Sequence, residues 1–181
     1  MKFRCNKNSI LNEISTAQGI ISSRNNLSIL SNVLLEAGNG SLCIKATDLK
    51  IGFETVIPVD VEEPGSTTVF CDKLLGVLRT FPEGDVIFTL EGDNFIIDSE
   101  CEDSNVKLKV IDSSKFPELI ETEQDKYFEI AQADFLDMIN NTSFAVSNDE
   151  KKFFMNGVLL EKGEGTLNMV ATDGRRLSVI R

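Results

Sequence analysis

The side chains that could do chemistry in this chain are carboxylates, hydroxyls and basic groups, because it contains no histidine. That removes a Ser-His-Asp nucleophile set. Neither a Walker loop nor a G-x-G-x-x-G run is present. Cys5, Cys43, Cys71 and Cys101 are 38, 28 and 30 residues apart, with no C-x-x-C pair, so no zinc site is expected. Each is expected to be a small buried hydrophobe rather than a reactive thiol. Carboxylates are plentiful but fall in turns and helix starts, and nothing selects two of them as an acid/base couple. Neither catalysis nor a cofactor is expected.

Two places carry more specific patterns. Ala46-Thr47-Asp48 and Ala171-Thr172-Asp173 each follow a strand and precede a turn. The expected chemistry there is an aspartate bonding backbone donors two residues on. Only the second is followed by Gly174-Arg175-Arg176-Leu177, where adjacent arginines beside a leucine suit either a protein-binding patch or plain solvated surface. The other place is Lys151-Lys152-Phe153-Phe154. Basic residues beside aromatics suit a nucleic-acid strand, through phosphate charge and base stacking. The competing reading, which the residues alone favour, puts one phenylalanine in the core and the lysines in solvent. Arg24 lies in the corresponding earlier loop.

That correspondence is part of a duplication. Val33–Asp48 and Val158–Asp173 align without a gap at an offset of 125 residues, matching at Val-Leu-Leu-Glu, both glycines, one leucine and Ala-Thr-Asp. Upstream, Phe3 pairs with Phe128, Ile10 with Phe135, Leu11 with Leu136 and Ile14 with Ile139. Such a unit is too long for a solenoid repeat and reads as a duplicated domain. The second copy is incomplete, with the first spanning 1–115, a charged, proline-containing linker 116–126, and the start of a second domain 127–181.

Periodicity supplies the elements that hold these sites. Met1–Lys7 alternates as a half-buried strand. Ser9 is the expected cap of a helix bearing Ile10, Leu11, Ile14, Ala17 and Ile21, with Asn12, Glu13, Thr16 and Gln18 outward. Strands are expected over 29–36, 42–46, 52–59, 67–70, 86–90, 94–99 and 106–110, with hairpin turns at Gly38-Asn39-Gly40 and Glu91-Gly92-Asp93. Asp72 is expected to cap a helix burying Leu74, Leu75, Val77, Leu78 and Phe81, stopped by Pro82-Glu83-Gly84. The second copy should restart with a strand over 127–131 and a helix capped by Asp134. Single short helices among many strands read as α+β, with helices on one side of antiparallel sheet.

The net charge is −11, which argues against a broad basic grip on nucleic acid. No run approaches the roughly 18 apolar residues of a membrane span. The start, M-K-F-R-C-N-K, has no apolar signal region, and a cytoplasmic protein is expected.

The whole chain resembles the bacterial DNA sliding clamp family, the β subunit of DNA polymerase III. The resemblance rests on Met1-Lys2-Phe3, on Leu27 to Asn32 after the Arg24 loop, on Leu42–Leu49, and on Glu63-Pro64-Gly65 and Phe81-Pro82-Glu83-Gly84. It continues through Phe116-Pro117 and Asn156-Gly157, and is most specific at Ala171 to Leu177. It implies three similar domains per chain, each of two helices and two antiparallel sheets, and two chains joined head to tail as a homodimer ring. Such a ring is non-catalytic, encircles double-stranded DNA, is opened by a clamp loader, and tethers the replicative DNA polymerase and other proteins carrying a clamp-binding motif. A topological link of this kind needs no tight electrostatic grip. Carried over by position, the implied DNA-binding residues are Arg24, Lys73, Arg79, Lys151, Lys152, Phe153 and Phe154. Asp149 stands where relatives can have an amide, and Phe153 and Phe154 where they can have tyrosines. The implied partner-peptide pocket uses Met155, Thr172, Gly174, Arg175, Arg176 and Leu177. The implied subunit interface uses Val77, Val106 and Leu108, left exposed without a third domain. A clamp-like interaction module that binds loader or polymerase without encircling DNA is the alternative.

Overall fold

The computed structural model describes residues 1–21, 28–99, 104–119, 128–163 and 165–181. Arg24, Cys101 and most of the expected linker lie outside them. The chain divides into two compact units, Met1–Glu121 and Thr122–Arg181.

In the first unit, strand β1 (Lys2–Asn6) runs directly into helix α1 (Lys7–Ile20). The helix therefore starts before Ser9, and Asn6 caps it instead, its Oδ1 accepting from the Asn8 N–H at 3.0 Å. Lys7 is drawn inward. Its Nζ donates to the Phe81 carbonyl at 3.0 Å and to Glu83 Oε1 at 2.8 Å, and its own N–H donates to the Gly84 carbonyl. Burying a lysine demands such partners. A 3₁₀ turn at Ser28–Ser31 leads into β2 (Asn32–Gly38), so the strand expected from residue 29 begins three residues later.

The chain then forms β3 (Ser41–Thr47), β4 (Gly52–Pro58), β5 (Asp60–Glu63), β6 (Gly65–Phe70), α2 (Cys71–Thr80), β7 (Asp85–Glu91), β8 (Asn94–Ser99) and β9 (Asn105–Ile111). Asn39 (φ 51°) and Gly40 (φ 72°) are both left-handed, as a two-residue hairpin turn of the favoured hand requires. β5 was not expected, because 60–63 is acidic rather than alternating. It is held by pairing with β1 and by cross-strand ion pairs, Lys2 to Glu62 at 2.6 Å and Arg4 to Asp60 at 3.1 Å. Asp72 does not cap α2. Phe70 occupies that position, and the Asp72 carboxylate accepts from Gln18 Nε2 at 2.6 Å, tying the two helices together.

All pairings among the described residues are antiparallel. The strand order is β4-β3-β2-β6-β9-β8-β7-β1-β5. The sheet has a seam. β6 and β9 meet only at Thr68–Ile111 and Val69–Val110, whereas β7 and β8 pair at six positions. The seam separates a four-stranded from a five-stranded half, and α1 and α2 share one core with both. Phe3, Phe88 and Phe95 form its aromatic centre, with Phe3–Phe88 centroids 4.8 Å apart and Phe88–Phe95 5.5 Å apart. Burial pushes the thiols of Cys5 and Cys71 up to about 12, in keeping with packing rather than reactivity. Beyond β9, Phe116 is buried and Leu119 lies against Gly52, so the first unit continues into the stretch read as linker.

The second unit holds helix α3 (Gln132–Asn140), 3₁₀ turns at Ser143–Ala145 and Glu150–Met155, and the sheet β10 (Leu159–Lys162), β11 (Leu167–Thr172) and β12 (Leu177–Ile180) in that order. Residues 128–131 are irregular rather than the expected strand. Their counterpart β1 is held between β5 and β7, and the positions 125 residues after those strands fall beyond residue 181. Ala131, not Asp134, precedes the helix, and Asp134 lies in its first turn.

Candidate functional site

The turn between β11 and β12 is built by two side chains. Thr172 Oγ1 donates to the Arg176 carbonyl at 2.7 Å and accepts from the Gly174 N–H at 3.1 Å. Asp173 Oδ1 accepts from the N–H groups of Arg175 and Arg176 at 2.9 and 3.0 Å. These donors, Arg175 first, hold the Asp173 carboxyl below its usual range. Gly174 has φ 86°, a conformation that costs other residues strain.

This turn and the preceding 3₁₀ segment come together. A Cβ at Gly174 would lie 3.9 Å from Lys152 Nζ and 4.0 Å from Met155 Sδ. Lys152, assigned to DNA by position, thus sits beside the expected partner pocket. Met155 is half-buried, while Arg175, Arg176 and Leu177 are exposed. Arg176 Nε also donates to Asp173 Oδ2 at 2.9 Å, and its guanidinium lies 5.7 Å from the Phe144 ring centroid. Neither of those two contacts was read from the sequence. The Asp–Arg spacing of three was a legible signal, but nothing local pointed to Phe144, 32 residues before Arg176. Around this turn Met155 and Leu177 supply apolar groups, and Lys152, Arg175 and Arg176 supply cationic ones.

Phe153 and Phe154 are 79 % and 68 % exposed and pack edge to face, centroids 5.7 Å apart. The reading that one of them is core is therefore incorrect for this unit. They sit on a 3₁₀ turn whose geometry requires Asp149, since its Oδ1 accepts from the Lys151 N–H at 3.1 Å. Lys151, Lys73 and Arg79 are exposed, the last two on α2. The expected interface residues Val77, Val106 and Leu108 are not bare. They are partly buried against the first unit's core, Val106 and Leu108 on the face of β9 opposite the exposed Lys107 and Lys109. A separate open groove of about 220 Å³ is lined by Phe128, Ile130, Lys162, Gly163, Thr166 and Leu167, with Lys162 Nζ 5.2 Å from the Phe128 ring centroid. Among the described residues, no cluster of three or more acids or cysteines could hold a metal ion, and no helix is long and apolar enough to cross a membrane.

Comparison with known proteins bears on the whole chain. The model of the DNA polymerase III beta subunit, N-terminal domain, matches residues 1–120, and that of its central domain matches 129–181. The beta sliding clamp of Treponema pallidum is 42 % identical over 180 residues, covering 99 % of this chain and 48 % of the relative. The crystal structure of the Pseudomonas aeruginosa DNA polymerase III subunit beta superposes with a TM-score of 0.90 at 30 % identity, over 99 % of this chain and 49 % of that one. A Helicobacter pylori beta clamp bound to a DNA ligase peptide gives 0.88 at 25 % identity, over 99 % and 50 %. This chain spans about half the length of these relatives. With both domain models matched in order, and with the duplicated α+β fold described above, the chain belongs to the DNA polymerase III beta subunit family, the bacterial sliding clamps.

Proposed function

We propose that this chain works as part of a DNA polymerase processivity clamp. The complete protein would close as a homodimer ring around double-stranded DNA in the cytoplasm. A clamp loader would place it, and it would tether the replicative polymerase and repair partners without catalysing a reaction. The observation that carries this reading is the match to two successive clamp domains. Exposed Lys73 and Arg79 on α2, together with Arg24, Lys151, Lys152, Phe153 and Phe154, are the DNA contacts. Sparse positive charge suits sliding, since many phosphate contacts would hold the ring in place. Met155, Thr172, Gly174, Arg175, Arg176 and Leu177 receive a partner's apolar side chain. A DNA ligase peptide bound by the Helicobacter pylori relative supports a peptide as occupant. Val77, Val106 and Leu108 meet the neighbouring protomer, completing their half-finished burial.

The test is retention of the full-length protein, loaded by its clamp loader, on nicked circular DNA before and after linearisation. A ring stays on the circle and runs off the linear end. Equal lifetimes on both would overturn encirclement and favour the interaction-module reading.

A further inference from the structure

The two copies of the Thr-Asp turn share their backbone and differ in their decoration. In the first copy Thr47 Oγ1 accepts from the Leu49 N–H at 3.0 Å and donates to the Ile51 carbonyl at 2.8 Å, while Asp48 Oδ1 accepts from the N–H groups of Lys50 and Ile51. These are the bonds of the second turn shifted by 125 residues. Yet Arg176 is replaced there by Ile51, and Phe144 by Gly19. A Cβ at Gly19 would meet nothing within 4 Å. The turn therefore builds itself without an arginine at this position and without an aromatic at the position of Phe144. The pair that appears in the second copy, an exposed phenylalanine stacked near an exposed guanidinium, is not there to make the turn.

We infer that Phe144 and Asp173 are positioning residues for Arg176. Phe144 offers its ring face to the guanidinium, and Asp173 holds the Nε–H at 2.9 Å. The terminal Nη groups are left to donate to backbone carbonyl oxygens of an extended peptide lying over Leu177 and Met155. An arginine already held in place loses less rotamer freedom on binding than a free one. This inference rests on reading the turn as a partner-peptide site.

The test uses the full-length protein and a fluorescein-labelled peptide from the replicative polymerase's clamp-binding segment, followed by anisotropy. Phe144→Leu should weaken binding about two- to fivefold, and Phe144→Tyr should restore it. In an Arg176→Ala background Phe144→Leu should cause no further loss. In the free protein, Phe144→Leu should abolish the ring-current shift of the Arg176 side-chain protons, and Phe144→Tyr should keep it. Normal wild-type binding with no effect of Phe144→Leu, or an equal loss in the Arg176→Ala background, overturns the inference alone. No peptide binding by the wild-type protein overturns the partner-site reading and the inference with it.

Discussion

Two turns with the same hydrogen bonds end this chain's two copies of one hairpin, and only one of them carries two adjacent arginines followed by a leucine. In the first, the left-handed position is held by Leu49 (φ 73°), followed by Lys50, Ile51 and Gly52. In the second it is Gly174 (φ 86°), followed by Arg175, Arg176 and Leu177. The first accepts a strained leucine and gives Leu119 room over Gly52, so its own chain lies across the turn. The second relieves the strain, brings its backbone close to Lys152 and Met155, and puts a leucine where the first has glycine. The Thr and Asp bonds are common to both turns, and it is the residues after them that differ.

The comparison can be broken at several strengths. The largest difference lies beneath the turns. Leu35 and Leu160 are counterparts, but Leu35 is fully buried and Leu160 is 42 % exposed. In the 181-residue chain, Leu35→Ala should cost about 2–5 kcal/mol of stability in urea unfolding, against under about 1 kcal/mol for Leu160→Ala. Equal losses would mean the two copies pack alike. Next, exchanging the left-handed residues should act in opposite directions. Gly174→Leu should destabilise by roughly 1–2 kcal/mol. Leu49→Gly should be neutral or stabilise by up to about 1 kcal/mol, strain relief being offset by unfolded-chain entropy. Thermal unfolding separates the two signs.

The smallest effect is shared by both turns. The Asp48 carboxyl is held below its usual range chiefly by the Ile51 and Lys50 N–H groups, as Asp173 is by those of Arg175 and Arg176. A depressed folded pKa favours the ionised form. The stability it contributes is fully present above the ordinary aspartate value of 3.8 and is lost as pH falls through the lower folded value. The gap in Tm between wild type and Asp48→Asn should therefore shrink on acidification from about pH 5 to about pH 2.5, and Asp173→Asn should behave the same way. A pH-dependent gap for only one of them would show that the turns are not chemically equivalent.

Most of this architecture was legible. Alternation marked β1, β4 and β9, and β3 was read as the return strand of the Asn39-Gly40 hairpin, whose residues tolerate positive φ. What failed had physical reasons. Asp72 and Asp134 looked like caps, but each helix starts before its aspartate, leaving it in the first turn. β5 is acidic and exposed, and only its ion pairs with β1 explain it. Residues 128–131 alternate like β1 but pair with no strand among the described residues. At the site, the Thr-Asp turn could be read from local spacing. Lys152 beside Gly174 and Phe144 beside Arg176 could not, because they join segments separated by a helix end or a loop.

The seam between β6 and β9 has a mechanical meaning. A sheet resists bending through its ladder of hydrogen bonds, and here the ladder narrows to two residue pairs between two broadly paired halves. Under a bending load the backbone ladder offers least resistance at Thr68–Ile111 and Val69–Val110, the pairing with the fewest residues in the nine-stranded sheet.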